Sequence, residues 1–251
     1  MSTEDPGGIS LDGRVALVIG GSSGLGAMTS RFLLERKCAL TITGRAEDLD
    51  WKETLPPEQK ARIQYVPLTV ETGEEFSRLC DPLGFPEPGL SILVYAIGPV
   101  IYRSLVETHP HEVTTLMRTN VVGFHSAVRT FLPRFAGDGY GRIVAFTSAG
   151  VENLSSKSMA PAYAAAKTAL LSLIRSFARE LAPRGITVNA IAPGWFAQGH
   201  AAPANSKHLP DIPADRQGDE HDLVAALSFL LSPASDYFTG NNLSMSGGYA
   251  I

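Results

Sequence analysis

The 251-residue chain predicts an α/β fold, a doubly wound parallel sheet of about seven strands with helices on both faces. Three observations carry this expectation. Short, continuously apolar runs, as strands covered on both faces require, alternate with longer stretches of helical periodicity. The first of these runs enters a glycine-rich turn and then a helix. No internal repeat, low-complexity tract or long linker divides the chain, and its length suits one domain over 1–251 with a large core.

In chain order the expected strands are Arg14–Ile19, Cys38–Thr43, Arg62–Val66, Ser91–Tyr95, Arg142–Thr147 and Ile186–Ile191, with a shorter one near Asn242–Met245. Helices are expected to begin near Gly24, Gly73, Pro110, Pro161 and Asp219. The stretch Glu47–Lys60 has helical character that Pro56-Pro57 interrupts. Crossovers between parallel strands should be right-handed. The least regular segment, Gln198–Gly218, is rich in Pro, Ala and His and reads as a substrate-covering lid.

Hydrophobic residues make up 44% and charged residues 18%, with a formal net charge of −4. That balance suits a globular protein and disfavours a disordered chain or a nucleic-acid binder. The polar, acidic start and the lack of any run of about 18 apolar residues predict a cytoplasmic protein that does not enter a membrane. Cys38 and Cys80 have no Cys or His at metal-ligand spacing and read as reduced packing residues. The six histidines, His109, His111, His125, His200, His208 and His221, show no metal-ligand spacing either, and no metal is expected. His200 and His208 flank the expected lid and are weighed as substrate contacts.

The turn after the first strand reads Gly20-Gly21-Ser22-Ser23-Gly24-Leu25-Gly26. Glycines there let the backbone turn sharply and admit a bulky anion, and amides at the start of the helix can bind a pyrophosphate. No Gly-Lys-Ser/Thr follows, which disfavours a nucleoside triphosphatase. After the second strand, Thr43-Gly44-Arg45 should decide the nucleotide: an acid would bond a ribose 2′-hydroxyl, and a cation would pair with a 2′-phosphate. Gly44 is expected to leave room and Arg45 to supply charge, predicting NADP(H) over NAD(H). Glu47 and Asp48 remain alternatives that would reach the ribose.

Tyr163-Ala164-Ala165-Ala166-Lys167 places a phenol and an amine one helical turn apart, with Cα atoms about 6 Å apart along the axis. A tyrosine ordinarily titrates near 10, and a neighbouring ammonium is expected to lower that value and ease proton transfer at neutral pH. Ser148 lies past the fifth strand, on the edge where open parallel sheets bind ligands, and can hydrogen-bond a substrate oxygen. A Tyr and a Lys at this spacing are more often packing plus a solvated charge; their company here favours chemistry.

Taken together, Gly20-x-x-x-Gly24-x-Gly26, Ser148, Tyr163-x-x-x-Lys167 and Pro193-Gly194 resemble the short-chain dehydrogenase/reductases, from about Leu11 to Ile251. Within the family, Gly141-Arg142-Ile143-Val144, Val188–Gly194 and the Thr239-Gly240 to Gly247-Gly248 ending are similar to the 3-oxoacyl-(acyl-carrier-protein) reductase type. The resemblance implies a Rossmann-type fold and reduction of a carbonyl, in a small molecule or a thioester, by hydride from the cofactor. It implies Tyr163 as general acid and Ser148 as the group that orients the substrate oxygen. Lys167 would hold the nicotinamide ribose, and Asn120 a water linking Lys167 to solvent. Cofactor contacts would come from Gly20, Ser22, Ser23, Gly24, Leu25 and Gly26, from Arg45 and Val70, and from Ala96 and Gly98. Tyr163, Lys167, Pro193, Gly194 and Phe196 would complete them. The resemblance also implies a homodimer or homotetramer.

Four positions depart from the family pattern. Tyr95-Ala96-Ile97-Gly98 stands for Asn-Asn-Ala-Gly, which removes side-chain amides that brace the central strands. Thr69-Val70 replaces an Asp near the adenine, Gln198 a Thr near the carboxamide, and Ser246-Gly247-Gly248 an Asp-Gly-Gly. The first three bear on the cofactor floor and cofactor affinity; the Ser246 change, with a shorter segment after Gly194, points to a different or smaller substrate. The departures also keep open a dinucleotide-binding sensor or scaffold without chemistry.

Overall fold

The computed structural model describes residues 8–45, 47, 49–79, 89–197 and 212–250. Seven strands form one parallel sheet: β1 (Val15–Ile19), β2 (Ala39–Gly44), β3 (Ile63–Pro67), β4 (Ile92–Tyr95), β5 (Gly141–Phe146), β6 (Ile186–Pro193) and β7 (Asn242–Met245). Their order is β3-β2-β1-β4-β5-β6-β7, and every neighbouring pair is parallel. Each lies within two residues of its expected position. The sheet therefore has the expected doubly wound, Rossmann-type form.

Among the described residues the α-helices are α1 (Gly24–Glu35), the short α2 (Pro57–Lys60), α3 (Pro110–Met117), α4 (Gly123–Phe131), α5 (Pro161–Leu181) and α6 (Glu220–Leu230). Alternation along the strands feeds two cores. Leu17, Leu93, Ile143 and Val188 pack with Phe124 and Phe131 of α4 and Leu170 and Ile174 of α5. Ala16, Val18, Ile92 and Val94 face the other way, toward Phe32 and Leu33 of α1 and Leu227 and Leu230 of α6. The edge strands β3 and β7 are only partly buried, so their sequences mix polar with apolar residues.

Local chemistry accounts for the departures from the expected helices. The described part of the stretch after Gly73 is a 3₁₀ turn, Glu74–Leu79. Glu47–Lys60 splits into a 3₁₀ turn, Asp50–Thr54, and α2, because Pro57 fits a first helical position but cannot continue a helix. Between α3 and α4 lies a π-helical turn, Arg118–Val122. There Thr119 Oγ1 donates to Thr115 O at 2.8 Å and Asn120 Nδ2 donates to Leu116 O at 2.9 Å. Two successive side chains thus compete for carbonyls of the backbone ladder, and the turn widens.

The strand order places β1 beside β4 while their outgoing connections diverge, which opens a crevice beyond the C-terminal strand ends. The opposite side of β5 is fixed by Arg142, whose side chain is 1% exposed. Its guanidinium donates to Gly141 O at 3.0 Å, to Ser232 O at 3.1 Å and to the Asp236 carboxylate. It also stacks 4.1 Å from the Tyr140 ring centroid. Arg142→Met keeps much of the apolar stem but strands two carbonyls. It should lower the unfolding free energy by about 1–3 kcal/mol in urea titration; an unchanged midpoint would mean that solvent reaches those carbonyls.

Candidate active site

A cavity of about 860 Å³ occupies the crevice, within the usual range for a ligand site, roughly 300–1,000 Å³. Its floor is the turn between β1 and α1. Gly20 and Gly21 donate their N–H groups to Thr43 O at 3.0 and 2.9 Å, holding the turn against β2. A Cβ at Gly26 would fall 2.1 Å from Gly20 O, so no side chain fits. Gly20 and Gly24 both adopt positive φ, +83° and +53°. Ser23 caps α1 without a side-chain hydrogen bond, and no acid occupies the first turn. The helix N–H groups remain available to an anion, as a dinucleotide pyrophosphate requires. Ser22, Ser23, Leu25 and the three motif glycines all line the cavity.

At the end of β2, Arg45 is exposed and lines the cavity, together with Val70 beyond β3. The expected role of Gly44 needs correction. A Cβ there would lie 2.2 Å from Ser22 Oγ and 3.0 Å from the Tyr65 hydroxyl, so the bare Cα accommodates Ser22 rather than leaving room for ligand. The Trp51 indole also donates to Ser22 O at 3.3 Å, tying this corner together. Glu47 is exposed, and Asp48 lies outside the described residues.

At the end of β4, Ala96 and Gly98 line the cavity. Tyr95, in place of an amide side chain, is fully buried and donates its hydroxyl to Thr119 O. Its ring meets Phe124 edge-on at 5.7 Å. Burial pushes its phenol well above the ordinary value. The substitution removes one brace and supplies another, from β4 to the π-helical turn.

Ser148 stands two residues past β5, and Tyr163 and Lys167 stand one turn apart on α5; all three line the cavity. Ala160, immediately before α5, is held at φ +51°, which redirects the chain into the helix just ahead of Tyr163. Lys167 is buried, with Nζ donating to Phe146 O at 2.6 Å and lying 5.5 Å from the Tyr163 ring centroid. Burial pulls its pKa down to about 7. Burial, and secondarily Tyr102, pushes the Tyr163 phenol above its ordinary value. The expected lowering of Tyr163 by a neighbouring ammonium is not found: burial raises the phenol and lowers the amine, each in the direction of its neutral form.

Asn120 is fully buried in the π-helical turn, and its Oδ1 has no hydrogen-bond partner. A Cβ at Gly98 would lie 2.5 Å from Lys167 Nζ and 3.0 Å from Asn120 Oδ1. An orphaned acceptor and an amine thus converge on the space above a bare Cα, a setting that suits a bound water.

Pro193, Gly194 and Phe196 line the cavity at the end of β6. A Cβ at Gly194 would fall 2.8 Å from Ser246 Cα, and the Ser246 and Ser244 hydroxyls lie 3.2 Å apart. Of the expected lid, residues 212–218 are described and anchored: Gly218 N donates to Trp195 O at 2.8 Å and Ala214 N to Gly247 O at 2.9 Å. Gln198, His200 and His208 lie outside the described residues.

Among the lining residues that escaped the sequence reasoning are Tyr102, Lys157, Trp195 and Tyr249. Trp195 and Tyr249 meet edge-on at 6.4 Å. Each directly follows a glycine already singled out, Gly194 or Gly248, a signal that was available. Lys157 and Tyr102 sit in loops whose sequence carries none. Among the described residues no group of His, Cys, Asp and Glu could hold a metal, and no helix is long and apolar enough to cross a membrane. His109 stacks on His111 with ring centroids 5.5 Å apart, and His125 packs beside Phe177. Cys38 is buried, its thiol pushed up to about 12 by burial, while Cys80 lies outside the described residues.

A glycine cradle at a helix start, a strand order that reverses above it and a Ser-Tyr-Lys set on its far side define a class of dinucleotide-dependent fold. A family profile described as enoyl-(acyl carrier protein) reductase matches residues 20–250, and the chain belongs to the short-chain dehydrogenase/reductase family. It is 30% identical to the 3-oxoacyl-(acyl-carrier-protein) reductase of Vibrio cholerae, over 96% of this chain and 98% of the relative. It is 31% identical to a galactitol 2-dehydrogenase (L-tagatose-forming) of Cereibacter sphaeroides, over 96% of each. Among solved structures, RhlG of Pseudomonas aeruginosa in an NADP active-site complex has a TM-score of 0.81 at 29% identity, covering 96% of this chain and 98% of that one. A blue fluorescent protein from a metagenomic library, in complex with NADPH, reaches 0.85 at 27% identity, covering 97% and 100%.

Tyr95→Phe removes the donor to Thr119 O and keeps the ring. It should cost about 1–3 kcal/mol of stability, read as a lower urea midpoint. An unchanged midpoint would show that the carbonyl finds another partner.

Proposed function

We propose that this protein is an NADP(H)-dependent oxidoreductase that reduces a carbonyl, a 3-oxoacyl thioester or similar ketone, to an alcohol, or runs the reverse reaction. The observation that carries this proposal is the convergence of Ser148, Tyr163 and Lys167 on one cavity whose floor is the glycine cradle. The cradle fits the cofactor: its glycines exclude side chains, and the start of α1 offers unclaimed N–H groups. Ser22 to Gly26, Arg45, Val70, Ala96, Gly98 and Pro193 to Phe196 would hold it, and Lys167 the nicotinamide ribose. When bound in reduced form it supplies the hydride that reaches the carbonyl carbon.

The remaining chemistry belongs to the chain. Tyr163, held neutral by burial, carries the proton that carbonyl reduction consumes. As negative charge grows on the substrate oxygen, Ser148 donates a hydrogen bond and Tyr163 transfers its proton, so the alcohol leaves neutral. The resulting phenolate favours the ammonium form of Lys167, and the two buried charges arise together rather than singly. A water between Lys167 and Asn120 Oδ1 would return the proton from solvent. The chain would work as one catalytic domain over 1–251, with 198–218 covering the substrate, as a cytoplasmic homodimer or homotetramer.

Tyr163→Phe should reduce turnover by about 100-fold or more while cofactor binding persists. Wild-type turnover in that variant on an identified substrate would sink the assignment. A sensor without chemistry has no need of this Ser-Tyr-Lys set, and Tyr163-dependent oxidation of reduced cofactor would exclude it.

Arg45 is the exposed cation on the lining beside β2, which supports NADP(H) over NAD(H). Arg45→Asp should weaken NADPH binding about tenfold or more relative to NADH, as followed by fluorescence titration. Equal losses for both would remove Arg45 from the 2′-phosphate site.

A further inference from the structure

We propose that Lys157 anchors an anionic group of the substrate, a carboxylate or a phosphate, so that this protein acts on charged oxo or hydroxy compounds rather than on neutral ketones. The inference rests on the assignment of Ser148 and Tyr163 as the groups that receive the reacting oxygen.

Lys157 belongs to the loop between β5 and α5 and lines the same cavity as Ser148 and Tyr163. Its ammonium is fixed in place. Nζ donates to Gly150 O at 2.8 Å and to Ser155 Oγ at 3.1 Å. Gly150 has φ +74° and no side chain, and a Cβ there would lie 3.3 Å from Nζ and 2.6 Å from Ala250 O. The amine is thereby held over a backbone position only two residues past Ser148. Two of its three N–H groups are used, and one remains for a ligand.

The surroundings favour an anion at that donor. Lys157 is half-buried, and Ala149, Val151, Met159 and Ala160 line the adjoining wall, so the charge is less screened than in open solvent. Among the described residues no carboxylate pairs with it. Of the other titratable lining groups, Arg45, Arg118 and Lys167 carry the same sign or none, and Tyr102, Tyr163 and Tyr249 are phenols. Glu71 is the single acidic lining residue among those described, and it sits past β3 at the Arg45 end. Glu152, next in the loop, accepts from Asn242 Nδ2 and is not on the lining. A half-buried ammonium with a free donor, and with no counterion among the described residues, gains most from an anionic partner. With the carbonyl at Ser148 and Tyr163, that anion would lie a few bonds away.

The test uses matched probes on the full chain with NADPH: 3-oxobutyrate and 4-oxopentanoate against their methyl esters, and dihydroxyacetone phosphate against dihydroxyacetone. The acids or the phosphate should exceed their neutral counterparts in kcat/KM, and which of them does so identifies the anion. Lys157→Gln should lower kcat/KM for the favoured anion by about 10- to 100-fold, chiefly through KM, leaving neutral probes within about twofold. Lys157→Arg should restore most of the loss. Neutral probes preferred by the wild type, or equal losses on charged and neutral probes in Lys157→Gln, would overturn the proposal and leave Lys157 a tie within its loop. If the wild type turns over none of these probes, calorimetric binding of 3-hydroxybutyrate and of glycerol 3-phosphate separates the two ideas. Binding that requires Lys157 keeps the anion site and sinks the reductase; binding of neither, or binding indifferent to Lys157, overturns the anion site.

Discussion

Lys167 joins the helix that carries Tyr163 to the strand that precedes Ser148. Its amine, buried and bonded to Phe146 O, sets the height of α5 against the sheet edge, and with it the relation of the two hydroxyls. An amine in that position must be nearly as easily neutral as charged, because burial penalises the cation and no carboxylate among the described residues pairs with it. The same desolvation holds the Tyr163 proton in place. The position of the amine and the directions in which the two groups are shifted therefore share one cause, burial around α5. Each neutral group makes the other's ionisation conditional on a ligand that supplies or accepts charge.

The second constraint is close backbone approach at three glycines that do different work. Gly26 yields to the carbonyl of Gly20 and shapes the floor. Gly98 yields to Lys167 and Asn120 and clears a space between them. Gly44 yields to a serine of the cradle. All three line the cavity, and the distinction lies in what each missing side chain would have struck.

The strands were legible because burial on both faces writes them as apolar runs, and β1, β2, β4, β5 and β6 carry that signature most clearly. The cradle, Ser148, Tyr163 and Lys167 were legible from spacing, since a helix turn and a strand end dictate where such side chains go. Less was legible where a tertiary neighbour decides. Nothing at Gly44 announces Ser22, and nothing at Lys157 announces the carbonyl of Gly150 that holds it. The balance of burial against charge at Tyr163 likewise depends on depth, which spacing does not report. The π-helical turn was hidden because Thr119 and Asn120 are ordinary polar residues in a helical pattern until their side chains meet the carbonyls of Thr115 and Leu116.

That turn also alters how the chain can vary. A π-helical turn holds about one residue more than the α-helical path it replaces, so α3 and α4 meet with their faces offset by roughly one residue's rotation, about 100°. Loss of a single residue within 118–122 would let the two helices merge into one regular cylinder, an outcome the backbone accepts easily. The change would be local in length and global in phase. The face of α3 would swing relative to that of α4, and the carbonyl that receives the Tyr95 hydroxyl would turn with it. Length variation in this stretch thus behaves as a rotary adjustment of one cavity wall, a route by which closely similar folds can present different surfaces to their ligands.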